Sequence, residues 1–264
     1  MERIREALDR AAAQRDAAAT TRPADGAPLT ARAAVDTAAR ITRVLPRDDA
    51  ALARHRVRTG EEDDATTRAI KRLRTRVLQH LRTSDRRTLA LTTPRSGGGT
   101  TWLTVNLAIS LARELEHHVC LVDLNWQRPA VASHFGVQVE HTLIDVLEGS
   151  AALPEVLFAT DLPRLVVLPG GRAGPRAAEL LASGAVAALV AELRLRYPDR
   201  FVLFDLPPLL GYDDALAFLP NADALLLVAR AGHTTREDTR AALDLLAGLP
   251  LLGVALNDCP DETD

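Results

Sequence analysis

Residues Thr92–Trp102 read TTPRSGGGTTW and stand between a short apolar run, TLALT (88–92), and a helical one, WLTVNLAISLARELE (102–116). A glycine-rich segment at that position is where a phosphate-binding loop lies. Its backbone N–H groups converge on an anion, and the following helix N-terminus adds partial positive charge. Ser96, Gly97, Gly98 and Gly99 supply conformational freedom, Thr100 and Thr101 supply hydroxyls where an Mg2+ ligand is expected, and Arg95 is a nearby cation. The lysine that such loops carry is missing, and read by position Gly99 takes its place. A glycine-rich turn without a ligand is the competing reading from the loop alone.

Outward from the loop, short apolar runs alternate with helical patterns. Strands are expected at 88–92, 118–123, 164–170, 201–205, 224–230 and 251–257, and helices at 101–115, 129–135, 143–148, 175–196, 213–219 and 234–247. Runs that are apolar on both faces and separated by helices predict a doubly wound α/β domain with a mainly parallel sheet, from residue 88 onward. In such folds ligands sit beyond the carboxyl ends of the strands. Two strands end there in aspartate: Asp123 in CLVDLNWQRP, followed by Asn125, Gln127 and Arg128, and Asp205 in FVLFDLPP. A carboxylate at such a place suits Mg2+ or its waters, and singly it equally suits capping of the next turn. Arg95 and Arg128 are candidate substitutes for the absent lysine.

Composition sets the remaining bounds. The 264-residue chain is 47% hydrophobic with only 3% aromatic residues and a formal net charge of -3. Leu, Val, Ala and Ile must therefore build the core, and no global charge favours nucleic acid or an anionic membrane. Cys120 and Cys259 match no metal spacing, and Cys120 in its apolar run is expected to be a buried thiol in a reducing, cytoplasmic compartment. MERIREALDRAAAQR is charged and amphipathic, unlike a signal peptide, and no apolar run reaches the ~18–20 residues of a membrane span. Residues 1–60 are expected to form a flexible extension with a short helix near 2–15. Residues 61–87 should contribute a basic amphipathic helix, with Ile70, Leu73, Val77, Leu78 and Leu81 facing the domain and Arg68, Lys71, Arg72, Arg74 and Arg76 on its other side.

From about residue 65 to 257 the chain resembles the bacterial tyrosine kinases of polysaccharide synthesis and export, within the ParA/MinD-like class of P-loop ATPases. RLRTRVL, TVNLAISLARELEHHVCLVDLNWQRP, HFG, TLIDVLEGSAALPEVL, RYPDRFVLFDLPPLL, ADALLLVARAGHTTRE and LLGVALN carry the likeness. It is closest to the branch found with exosortase-linked exopolysaccharide systems, whose short opening helix MERIREALDRA also resembles. The resemblance implies a P-loop NTPase fold and ATP/ADP with Mg2+ as cofactors. It places Asp123, Asn125 and Asp205 as catalytic residues, Arg95–Thr101 as the nucleotide cradle, and Thr100, Asp123 and Asp205 at the metal.

The departures from that family's pattern weigh on activity. Gly99 aligns with its catalytic lysine, Pro94 with the wider class's signature lysine, and Ser96 with a glycine. Asn125 replaces a second aspartate, and an amide cannot take a proton. Gln127 replaces an arginine, and the ring-forming Glu-x-x-Arg-x-x-Arg falls on Arg68, Lys71 and Arg74. The tail LNDCPDETD lacks the family's tyrosine cluster, leaving Tyr197 and Tyr212 inside the fold; Tyr212 follows the Asp205 motif, which allows a place near the site, with packing the preferred reading. The expectation is a catalytically impaired, cytoplasmic kinase-like regulator. It would bind nucleotide weakly and sit at the inner membrane through a polysaccharide chain-length or export partner, with a homologous active kinase or self-association as further partners, and without nucleic acid or direct insertion. The alternatives are an active tyrosine autokinase and, below it, a positioning ATPase.

Overall fold

Alternating side chains along the strands explain the layering. In the computed structural model, which describes residues 43–83, 86–114, 118–196 and 200–259, every residue of the strand Thr88–Thr92 is buried. Leu89 and Leu91 point into one apolar core and Ala90 into the other. Val119 and Leu121 likewise oppose Cys120 and Val122, and Phe201 and Leu203 oppose Val202 and Phe204. A strand whose both faces are apolar must be covered on both faces, which is the environment of a parallel sheet.

The strands are β1 (Arg43–Val44), β2 (Thr88–Thr92), β3 (His118–Asp123), β4 (Phe158–Ala159), β5 (Leu165–Leu168), β6 (Arg200–Asp205), β7 (Ala224–Arg230) and β8 (Leu251–Asn257). Their order is β1-β4-β5-β3-β6-β2-β7-β8, with only the β4–β5 pair antiparallel. The helices are α1 (Asp49–Arg54), α2 (Ala65–Thr83), α3 (Thr100–Ala112), α4 (Val131–His134), α5 (Leu143–Leu147), α6 (Leu153–Val156), α7 (Ala177–Leu181), α8 (Gly184–Arg196), α9 (Asp214–Phe218) and α10 (Arg236–Leu245). Helices α1 to α4 pack on one face of the sheet and α5 to α10 on the other. The doubly wound, mainly parallel architecture read from the sequence is the observed one.

Two expectations change. Residues 43–60, assigned to a flexible extension, are part of the domain as far as they are described: Ala51, Leu52 and Val57 are buried, and β1 pairs with β4. Two-residue strands and a six-residue helix are too short to show a period, which is why composition alone misplaced them. The 175–196 helix is interrupted, α7 ending before α8 begins at Gly184. The helix expected near 2–15, Tyr197 and Pro260–Asp264 lie outside the described residues.

Helix α2 buries Ile70, Val77, Leu78 and Leu81 as its spacing required. Arg74, read as part of the outer basic side, instead turns inward: it donates to Ser110 O at 3.3 Å and pairs with Glu114 at 3.0 Å. Helix α3 is buried almost all round, because α2 covers the side that the sheet leaves open.

Candidate functional site

Beyond the carboxyl end of β2, the chain turns through Thr93–Gly99 into α3. Gly99 is the N-cap residue at φ 81°, ψ 24°, and Gly97 has φ 90°, backbone that L side chains rarely adopt. A Cβ at Gly99 would collide with Asn257 Nδ2, and one at Gly98 with Thr93 Oγ1. The loop's carbonyls are held from β7, β8 and the turn after β7. Asn257 Nδ2 donates to Gly98 O at 3.2 Å, Arg230 Nη1 to Gly97 O at 3.4 Å, and His233 Nε2 lies 3.0 Å from Ser96 O. Among the described residues, no backbone N–H from Ser96 to Gly99 donates to a backbone carbonyl. Tied-down carbonyls with left-handed residues interspersed are the kind of backbone from which an anion-binding concavity can be built.

The two strand-end aspartates meet below the loop. Asp123 and Asp205 are register partners on β3 and β6, 1% and 0% exposed. Thr101 Oγ1 donates to Asp205 Oδ2 at 2.6 Å. Thr104 Oγ1 donates to Thr100 O at 2.8 Å and lies 3.3 Å from Asp205 Oδ1, where a protonated Asp205 can donate to it. Burial pushes the Asp123 carboxyl up to about 6. Burial first, and then the neighbouring Asp123, hold Asp205 well above the usual carboxylate range. Two carboxyls desolvated side by side cannot both ionise at low cost, so the pair holds a proton or takes a cation.

These contacts change the loop's register by one residue. The phosphate-loop pattern runs glycine, lysine, then the hydroxyl that meets the metal beside a strand-end aspartate. The hydroxyl on Asp205 belongs to Thr101, so Thr100 and not Gly99 occupies the lysine's place. The left-handed Gly99 is the glycine before it. Thr101, rather than Thr100, is the hydroxyl beside Asp205, while Thr100 Oγ1 is buried without a partner. The same shift moves the signature-lysine position from Pro94 to Arg95. The donor set at Asp123, Asp205 and Thr101 is all oxygen and fits Mg2+.

Other residues are engaged differently from their expected roles. Asp123 accepts from the backbone N–H of Asn125 (3.1 Å), Ala130 (2.9 Å) and Val131 (3.0 Å), so it also fastens the loop after β3. Asn125 Oδ1 caps the turn at Arg128 N, and Gln127 Nε2 donates to Asp214 at 2.9 Å. Arg95 bonds Asp238 at 2.6 Å and Arg128 is exposed, so neither guanidinium is directed to the loop by a described contact. Tyr212, assigned to packing, is 44% exposed. Arg230, His233, Asp238 and Asn257 went unnoticed in the sequence. Their signal was position, since Arg230 and Asn257 close strands on the same edge of the sheet as the loop.

Comparison with known proteins places this geometry. No protein-family model matches the chain. The tyrosine-protein kinase ptk of Acinetobacter johnsonii is 24% identical over 198 residues, 74% of this chain and 27% of that protein. Tyrosine-protein kinase CpsD of Streptococcus agalactiae is 26% identical over 66% of this chain and 76% of its own length. The solved BceF tyrosine kinase domain is 30% identical, with a TM-score of 0.65 over 72% of this chain and 76% of that one. The chain belongs to the bacterial tyrosine-kinase family of P-loop proteins. It spans about a quarter of the length of several relatives in that family. The septum site-determining protein MinD of Pyrococcus horikoshii, solved with Mg-ADP, has a TM-score of 0.53 and 25% identity over 64% of this chain and 69% of its own. This family member thus shares its fold with the ParA/MinD-like class. Among its described residues, no helix is long and apolar enough to cross a membrane.

Proposed function

We propose that this protein is a kinase-like regulator of polysaccharide synthesis or export that holds Mg-nucleotide weakly and is impaired in phosphoryl transfer. The observation that carries the reading is the loop itself. Its cradle, the Thr101–Asp205 contact and the paired carboxyls are kept, while a threonine fills the lysine position. Bound Mg2+ would offset the charge of the phosphates, with Asp123, Asp205 and Thr101 holding it or its waters. The loop N–H groups would orient the phosphates. Losing the lysine removes a cation from a transition state that gains charge, so transfer should suffer more than binding. Asn125 can orient a hydroxyl but cannot accept its proton. The resemblance supports cytoplasmic docking on a membrane chain-length or export partner.

Calorimetry with Mg-ADP and Mg-ATP tests this. Weak binding by the native chain, tightened about tenfold or more in Thr100→Lys, is the expected result, since a charge-assisted contact contributes roughly 1.5–3 kcal/mol. Tight native binding with phosphate transferred to tyrosine would overturn it in favour of an active autokinase. One observation favours that second reading: Tyr212 is exposed, and its neighbour Gly211 lines a cavity shared with Arg95 and Ser96. Phosphotyrosine at Tyr212 after incubation with Mg-ATP, read by mass spectrometry, would establish it.

A further inference from the structure

A second polar cavity lies away from the loop, between α2, the turn at 58–60 and α3. It encloses about 220 Å3 and is lined by Arg58, Thr67, Lys71, Arg74, Ser110 and Arg113 among others, with no carboxylate in its wall. Four cations facing one space is costly unless each has a partner. Three have one: Arg58 with Asp64 at 3.1 Å, Arg74 with Glu114 at 3.0 Å, and Arg113 with Glu61 at 3.6 Å. Those pairs leave one guanidinium donor unused. Arg74 Nε is buried with no hydrogen-bond partner, whereas Arg58 Nε lies against the Asp64 carboxylate at 3.1 Å. Thr67, 2% exposed, faces the Asp64 carboxylate, to which its backbone N–H donates at 2.7 Å. Lys71 stands exposed on α2 and makes the rim positive.

We infer that this cavity is a binding site for a small phosphate-class oxyanion, separate from the nucleotide loop. Buried donors without partners are uncommon in folded proteins, and Arg74 Nε is one, on a residue that lines a cavity bordered by three further cations. The space is smaller than the ~300–1,000 Å3 of drug-sized pockets, yet several times a water's ~30 Å3 share. That size suits inorganic phosphate, pyrophosphate or the phosphate end of a small metabolite. Guanidinium groups and a hydroxyl are the donors that bind such an anion. An occupant would bridge α2 to α3, the helix that begins at the phosphate loop. The inference does not depend on the loop binding nucleotide.

Calorimetric titration of the full chain with phosphate and with pyrophosphate, at constant ionic strength against chloride, tests it. Phosphate stabilises many proteins by exclusion from their surface, so the native and variant chains must be compared. Saturable binding is expected, weakened at least fivefold by Lys71→Gln and by the isosteric Thr67→Val, and unchanged by Thr101→Val at the loop. Lys71 is exposed, so its variant keeps the test sharp even if Thr67→Val folds poorly. No saturable binding, equal binding by native and Lys71→Gln chains, or loss only in Thr101→Val would each overturn the inference. Binding of a larger phosphorylated metabolite in preference to both probes, with the same variant pattern, would support it and identify the source of the phosphate.

Discussion

Asp205 carries a conflict between stability and function. Burial raises its carboxyl and that of Asp123 above their unfolded values, so between about pH 4 and the folded values the native state binds more protons than the unfolded one. Stability therefore falls as pH rises from about 4 through 6 and beyond. Asp205→Asn removes the ionising group and keeps hydrogen-bonding capacity toward Thr101 and Thr104. The variant should match the native chain near pH 4 and exceed it at pH 8 by on the order of 1–3 kcal/mol, measured by urea unfolding without Mg2+. It should also lose Mg-dependent nucleotide binding. Gly99 obeys a different constraint: its positive φ and the contact with Asn257 leave no room for a side chain. Gly99→Lys should lower the melting temperature and add no nucleotide affinity, whereas Thr100→Lys adds affinity at the start of a helix that tolerates it.

At the scale of elements, α2 is held by its apolar stripe rather than by its charges. Leu81 is 0% exposed at the end of that stripe, so Leu81→Ala should cost roughly 2–5 kcal/mol in denaturant unfolding. Reversing an exposed charge such as Arg72 should change stability by about 0.5 kcal/mol or less. Helix α1 ends at His55, whose ring stacks on His134 of α4 at a centroid distance of 4.3 Å. Burial lowers the His134 value, opposed by its hydrogen bond to Ala130 O and reinforced by His55. The native state therefore binds this proton less readily than the unfolded chain, and stability is lost as pH falls below about 6.5. Tryptic cleavage at Arg54 or Arg56, taken relative to an unfolded control substrate at the same pH, should be faster at pH 5.5 than at pH 7.5, and His134→Phe should reduce that difference.

For the molecule as a whole, the domain extends upstream of the helical start suggested by composition. A chain beginning at residue 61 loses Leu52 and Val57 from the core and β1 from the sheet edge. Burial of two such side chains contributes roughly 3–6 kcal/mol. At about 2–4 °C per kcal/mol, a 61–264 chain should melt roughly 6–24 °C below a 43–264 chain in calorimetry. The β-order also explains why one edge of the sheet gathers the chemistry. Strands β3, β6, β2, β7 and β8 run parallel, so their carboxyl ends bring Asp123, Asp205, the Thr93–Gly99 turn, Arg230 and Asn257 to one side.

Much of this was written in local sequence. Strands apolar on both faces can be stable only inside a covered parallel sheet, and a glycine-rich turn ahead of an apolar helix marks the ligand edge. Asp123 and Asp205 were legible as the last residues of such strands. What local sequence did not hold was the register of the loop, because counting along the chain cannot tell which glycine must be left-handed or which threonine reaches Asp205. Nor could it show Arg74 folded inward, Tyr212 turned outward, or the cations of Arg58, Lys71, Arg74 and Arg113 around one cavity. The periodicity and composition of the chain determined the fold and the place of the site, since burial depends on each segment's own faces. Only the tertiary structure decided which threonine reaches Asp205 and where the cavity bordered by those cations lies, because both depend on contacts between segments far apart in the chain.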